Sequence, residues 1–106
     1  VNRDHGLERE LLHRASGSDE FTEQVLARLD HYESEHGNTG WDRPVDELLQ
    51  EITEECADIA GWAVGAAVHL DDDQRLRLVH AMFHGAIAHR VICELREQLS
   101  LQRGSA

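Results

Sequence analysis

The sequence contains one proline, Pro44, and after it nothing that forces a helix to end before Asp71-Asp72-Asp73. A proline inside a helix removes a hydrogen bond and collides with the preceding turn, so a long proline-free stretch is open to continuous helix. Pro44 itself suits a first helical turn, where its missing N–H costs nothing, with Asp42 or Arg43 as the cap. Val45, Leu48, Leu49, Ile52, Cys56, Ile59, Ala60, Ala63 and Ala67 then recur at the spacing of one helical face. This predicts a helix over about 43–70, roughly 40 Å long at 1.5 Å per residue. Aspartates favour the positive end of the helix dipole, so Asp71-Asp72-Asp73 ends this helix and begins another over about 73–101. Leu76, Val79, Phe83, Ile87, Val91 and Leu95 mark the expected inner face of that last helix.

The two long helices form an antiparallel hairpin with a very short turn. With the turn near residue 72, Asp58 comes level with Gly85 and Glu54 with His89. Upstream, Leu7, Leu11, Leu12 and Ala15 outline a helix over about 3–15. Ser16-Gly17-Ser18 breaks it, and Ser18 or Asp19 caps a second over about 19–35, with Phe21, Val25, Leu26, Leu29 and Tyr32 on one side. Gly37 can end that helix in a left-handed conformation, leaving a loop over 37–42. The expectation is a single all-α domain over 1–106, a small bundle of about four helices dominated by the hairpin. Two short helices cannot cover the hairpin's apolar surface, so homo-oligomerisation is expected to complete the bundle. The low aromatic content, 5%, and the single proline argue against a β-sandwich.

Charge narrows the function classes. Twenty-one acidic residues face ten basic ones, all arginine, for a net charge of -11. That balance opposes direct nucleic-acid binding through a basic face and adsorption to an anionic membrane. It suits cation binding, a basic partner, or solubility alone. No segment reads as a signal peptide or membrane span, since the apolar run Ile59–Leu70 is short and carries His69, so the cytoplasm is the expected location. Cys56 and Cys93 fall at apolar helical positions and read as buried thiols.

The third helix carries the most informative chemistry. Glu47, Glu51, Glu54, Glu55 and Asp58 share a stripe beside the apolar face, with Glu55 nearest its edge. Glu51, Glu55 and Asp58 stack at i, i+4 and i+7, where like charges repel by about a few tenths of a kcal/mol per pair. Solvated helices relieve such repulsion with interleaved Lys or Arg, yet His69 is the only basic side chain between Arg43 and Arg75. A divalent cation would supply the missing charge, and hard oxygen donors suit Mg²⁺ or Mn²⁺ better than zinc.

The segment Glu51-Ile52-Thr53-Glu54-Glu55-Cys56-Ala57-Asp58-Ile59-Ala60-Gly61-Trp62 resembles a motif of the MazG-like, all-α nucleoside triphosphate pyrophosphohydrolases. Glu55-Cys56-Ala57-Asp58 is similar to the family's ExxD pair, and Glu54 supplies the leading glutamate. The resemblance implies an oligomeric helical bundle whose carboxylates hold Mg²⁺ against a nucleotide substrate and release pyrophosphate from it. It implies Glu55 and Asp58 as metal ligands, with Glu51 and Glu54 completing the ligand shell or positioning the catalytic water. The family's further ExxE has two counterparts in form, Glu20-Phe21-Thr22-Glu23 upstream and Glu51-Ile52-Thr53-Glu54 on the same helix. The lysine often found near the phosphates in that family has no counterpart.

On the fourth helix, His84, His89 and Arg90 fall at the height of the carboxylates, and Arg90 is the expected phosphate contact. His80 and His84 form an i, i+4 pair that can share a metal or pack at an apolar edge. Glu33-Ser34-Glu35-His36 contains one ExxH where a di-iron bundle needs two. Gly61, Gly65 and Gly85 suggest close approach of a neighbouring helix, and Trp62 an interface or core position. The competing reading is a non-enzymatic acidic helical protein that binds a basic partner or mimics nucleic acid. The blandest is a scaffold whose dimerisation is its function. An enzyme needs carboxylates converging in a cleft, whereas a mimic needs them spread over an exposed surface.

Overall fold

The computed structural model describes residues 2–37 and 39–104, and these form four α-helices and one 3₁₀ turn with no strand among them. The helices are α1 (His5–Ser16), α2 (Asp19–His36), α3 (Val45–Ala67) and α4 (Asp72–Gly104), with the 3₁₀ turn at Thr39–Asp42. Among the described residues no helix is long and apolar enough to cross a membrane. The chain divides into two compact units, Val1–Arg43 and Pro44–Ala106.

In the first unit, Asp4 caps α1 by accepting from the Leu7 N–H at 3.0 Å. Gly17 ends the helix in the left-handed region at φ 60°, where a Cβ would be strained, and donates to the His13 carbonyl. Ser18 then caps α2 through the Phe21 N–H. Gly37 also has positive φ, but its ψ of -153° lies outside the left-handed helical region expected for it. Asn38, within the expected loop, lies outside the described residues. The buried residues of α2 are Thr22 and Leu26, while Phe21 is half exposed rather than central. Thr22 satisfies its hydroxyl by donating to the Ser18 carbonyl at 2.8 Å, which makes its burial affordable.

Charge ties α1 to α2. The Arg3 side chain is only 4% exposed and meets three carboxylates, Glu8 at 2.7 Å, Asp30 at 2.8 Å and Glu33 at 2.9 Å. Arg9 pairs with Glu23, and His13 approaches Asp19 at 2.6 Å. Hydrogen bonds from Arg3 hold the Glu8 carboxyl below its ordinary pKa.

In the second unit, α3 begins one residue after Pro44, which occupies the cap position with no side-chain cap bond. The turn into α4 is closed reciprocally: the Gln74 N–H donates to the Asp71 carboxylate at 2.8 Å, and the Asp71 N–H to the Gln74 side chain at 3.0 Å. Gly85 lies against α3, its Cα so placed that a Cβ would sit 3.8 Å from the Cys56 carbonyl oxygen and 4.0 Å from Ile59 Cγ2. Arg96 donates to both oxygens of Asp46, at 3.1 and 3.2 Å, and also to Gln50. These contacts match the level pairing expected of the hairpin.

The hairpin's packed surface is narrower than its apolar surface. Leu49, Thr53, Cys56 and Ala63 are the buried residues of α3, and none of α4 is buried. Val45, Ile52 and Ile59, expected on the same inner face, are exposed. On α4 the half-buried positions include Leu78, Met82, Gly85, Ile92 and Arg96. Of the inner face expected for this helix, Leu76, Val79, Phe83, Val91 and Leu95 are instead exposed, and Ile87 alone is half-buried. The reason is that α4 carries apolar residues around most of its circumference, so periodicity selects no single face.

Candidate functional site

The stripe on α3 is built by helix geometry alone. At 100° per residue, Glu47, Glu51, Glu54 and Asp58 fall on the side of α3 turned away from Leu49, Cys56 and Ala63. Glu55 lies between that stripe and the exposed Ile52 and Ile59. Glu51, Glu54, Glu55 and Asp58 are all exposed. Glu54 accepts from the Gln50 amide at 3.2 Å. Thr53, buried on the opposite face of the same helix, satisfies its hydroxyl by donating to the Gln50 carbonyl at 2.7 Å. Gly61 and Gly65 follow the stripe toward the C-terminal end of α3, with nothing within 4 Å of where a Cβ would stand.

Arg90 shares a height with the carboxylates but not a side. It is exposed on α4, whose contact with α3 runs through Gly85 and Arg96, while the stripe faces away from α4. His89 borders a small recess at the helix–helix seam, about 210 Å³ in volume, with Cys56, Ala60 and Met82. Its Nδ1 lies 3.8 Å from the sulfur of Cys93. Cys56 is buried and Cys93 exposed, and both are free thiols. Among the described residues, no group of three or more His, Cys, Asp or Glu side chains is placed to hold a metal ion.

His80 and His84 converge on α4. Their Nε2 atoms are 3.0 Å apart and their ring planes meet at 63°. In the first unit, Glu20-Phe21-Thr22-Glu23 is committed elsewhere, with Glu23 paired to Arg9 and Thr22 buried. Glu33 of the lone ExxH is bound to Arg3. An open recess of about 480 Å³ lies beside Tyr32 and Trp41, whose ring centroids are 5.3 Å apart, with Arg28, His31 and Glu35 on its rim.

Sequence reasoning missed two charge centres, Arg3 with its three carboxylates and Arg96 with Asp46. Asp46 and Arg96 sit level in the hairpin, so the register that aligned Gly85 also contained their meeting. Arg3 meets Asp30 and Glu33 only through the folding of α1 on α2, and no local spacing announces it. No known protein family, curated protein or solved structure matches the chain.

Proposed function

We propose that the chain is a Mg²⁺-dependent hydrolase that cleaves a nucleoside triphosphate to a monophosphate and pyrophosphate. The observation that carries the reading is the placement of Glu51, Glu54, Glu55 and Asp58 within two turns of one helix without interleaved arginine. The stripe lies on an exposed face, so the cleft an enzyme needs would be closed over it by a second copy of the chain. The donor set is all carboxylate oxygen, which suits Mg²⁺ or Mn²⁺, and Mg²⁺ keeps several waters, so two side chains and a phosphate suffice to hold it. Glu55 and Asp58 are the metal-holding pair. Bound there, the ion would neutralise charge on the phosphates during transfer.

The chain's own part is positional. Glu51 or Glu54 accepts a hydrogen bond from the attacking water and takes its proton as the water oxygen bonds to the α-phosphorus and pyrophosphate leaves. Arg90 faces another side of the hairpin, so it serves phosphate only by reaching a stripe on a second copy in a homo-oligomer. The exposure of all four carboxylates favours a second reading, an acidic helical interaction protein that binds a basic partner.

Pyrophosphate release from a panel of ribo- and deoxyribonucleoside triphosphates with Mg²⁺ or Mn²⁺ separates the two. The hydrolase gives metal-dependent turnover that falls at least about a hundredfold in Glu55→Gln and in Asp58→Asn, the scale of a lost catalytic group. Both substitutions are at exposed positions, so circular dichroism should be unchanged. No turnover with any triphosphate overturns the hydrolase and leaves the interaction protein.

A further inference from the structure

We infer that His80 and His84 are half of a transition-metal site, completed by the same two residues of a second copy of the chain. The pair stands apart from the carboxylate stripe, on the other helix, and its donors are of a different kind. Imidazole nitrogen selects Zn²⁺, Cu²⁺ or Ni²⁺ over Mg²⁺.

The spacing of the two ring nitrogens is that of a chelating pair. The two histidines are one turn apart on α4, both exposed, and their Nε2 atoms approach to 3.0 Å. Metal–nitrogen bonds of about 2.0–2.1 Å place two ligand nitrogens about 2.9 Å apart at a right angle and about 3.3 Å apart at the tetrahedral angle. The observed separation falls inside that range. Without an ion, the same approach holds only while one ring donates its proton to the other.

One chain supplies two ligands and no more, since no third His, Cys, Asp or Glu among the described residues joins the pair. Zinc in a closed site takes four ligands. A twofold axis through the metal supplies the other two from an identical pair. The surroundings suit that partner. Leu76 is 67% and Phe83 60% exposed on the same outer side of α4, and the Phe83 ring stands edge-on to His84 at 5.9 Å. Apposing two copies there covers this apolar surface. A net charge of -11 on each chain opposes the pairing, and a divalent cation at the axis offsets part of that repulsion.

Sedimentation of chelator-treated protein with and without added Zn²⁺, paired with metal analysis, tests the site. The expected result is a doubling of mass from 12.0 kDa on adding Zn²⁺, with one zinc per two chains. His80→Gln and His84→Gln should each abolish both changes while leaving helical content intact, because both side chains are exposed. Substituted Co²⁺ should show the intense visible bands of a tetrahedral ion, absent in either variant. Zinc bound at one per chain without a change in mass overturns the bridged site. Zinc binding at one per two chains that survives in either variant, or dimerisation indifferent to zinc, overturns it as well.

Discussion

In the first unit an arginine whose side chain is 4% exposed gathers three carboxylates from two helices, and the apolar contribution is small, with Leu26 as its buried hydrophobe. In the hairpin the corresponding ion pair, Arg96 with Asp46, sits at half-exposed positions, and the helices meet instead through small residues, Cys56, Ala63 and Gly85. The hairpin also leaves Trp62 81% exposed and much of α4's apolar surface uncovered. One unit encloses its central cation among carboxylates of its own helices. The other keeps charge and apolar surface outward, where a ligand or a second chain can meet them.

The largest effects test where each unit's apolar stability lies. Leu26→Ala and Leu49→Ala each remove a large side chain that is 7% exposed, and each should cost about 2–3 kcal/mol. Trp41 belongs to the first unit and Trp62 to the second, so single-tryptophan variants made by Trp→Phe replacement report each unit's unfolding by fluorescence. Leu26→Ala should lower the urea midpoint read by Trp41, and Leu49→Ala that read by Trp62. Equal losses at both probes from either substitution would erase the distinction between the units.

Much of this architecture is written locally. Pro44, the Ser18 cap, Gly17 and the Asp71 turn each fix a boundary through the chemistry of one or two residues, and the antiparallel register follows from the shortness of the turn. The inner face of α4 is not legible in that way. Its apolar residues surround the helix, and what selects Met82 and Gly85 over Val79 and Phe83 is the fit of small residues on α3, a property of the pair. The carboxylate stripe was legible because it needs only one helix. Arg90 illustrates the limit, since register gives its height along the hairpin but not the side it faces.

Charge should separate the units next. Arg3→Met removes the partner that lowers the Glu8 pKa, and Arg96→Met the partner that lowers that of Asp46. A carboxylate with a depressed folded pKa stabilises above its unfolded value, and that stabilisation is lost as pH falls through the folded value. Each variant should therefore be less stable than wild type at neutral pH and converge with it in acid, below the ordinary carboxylate range. The loss should be larger for Arg3→Met, whose arginine is nearly enclosed and holds three carboxylates, than for Arg96→Met, where solvent screens the pair. Urea midpoints measured as a function of pH at the two tryptophan probes give both slopes.

The smallest effects come from glycine, and they differ in sign between the units. Gly61 and Gly65 lie inside α3 with nothing within 4 Å of a new Cβ, so replacing either with Ala should stabilise the hairpin by about 0.5–1 kcal/mol. Gly40 is the opposite case. Its Cβ would collide with the Tyr32 ring, which already packs against Trp41, so Gly40→Ala should lower the Trp41 midpoint. The two α3 substitutions also probe what covers the carboxylate side of that helix. In a free hairpin both gains appear at every protein concentration. If a second copy packs its helix against Gly61 and Gly65, each new methyl instead weakens that contact, and the gain seen in dilute protein disappears as concentration rises. The same titration on His84→Gln, where the zinc-bridged pairing is broken, shows whether the glycine side and the histidine side of the hairpin answer to the same partner.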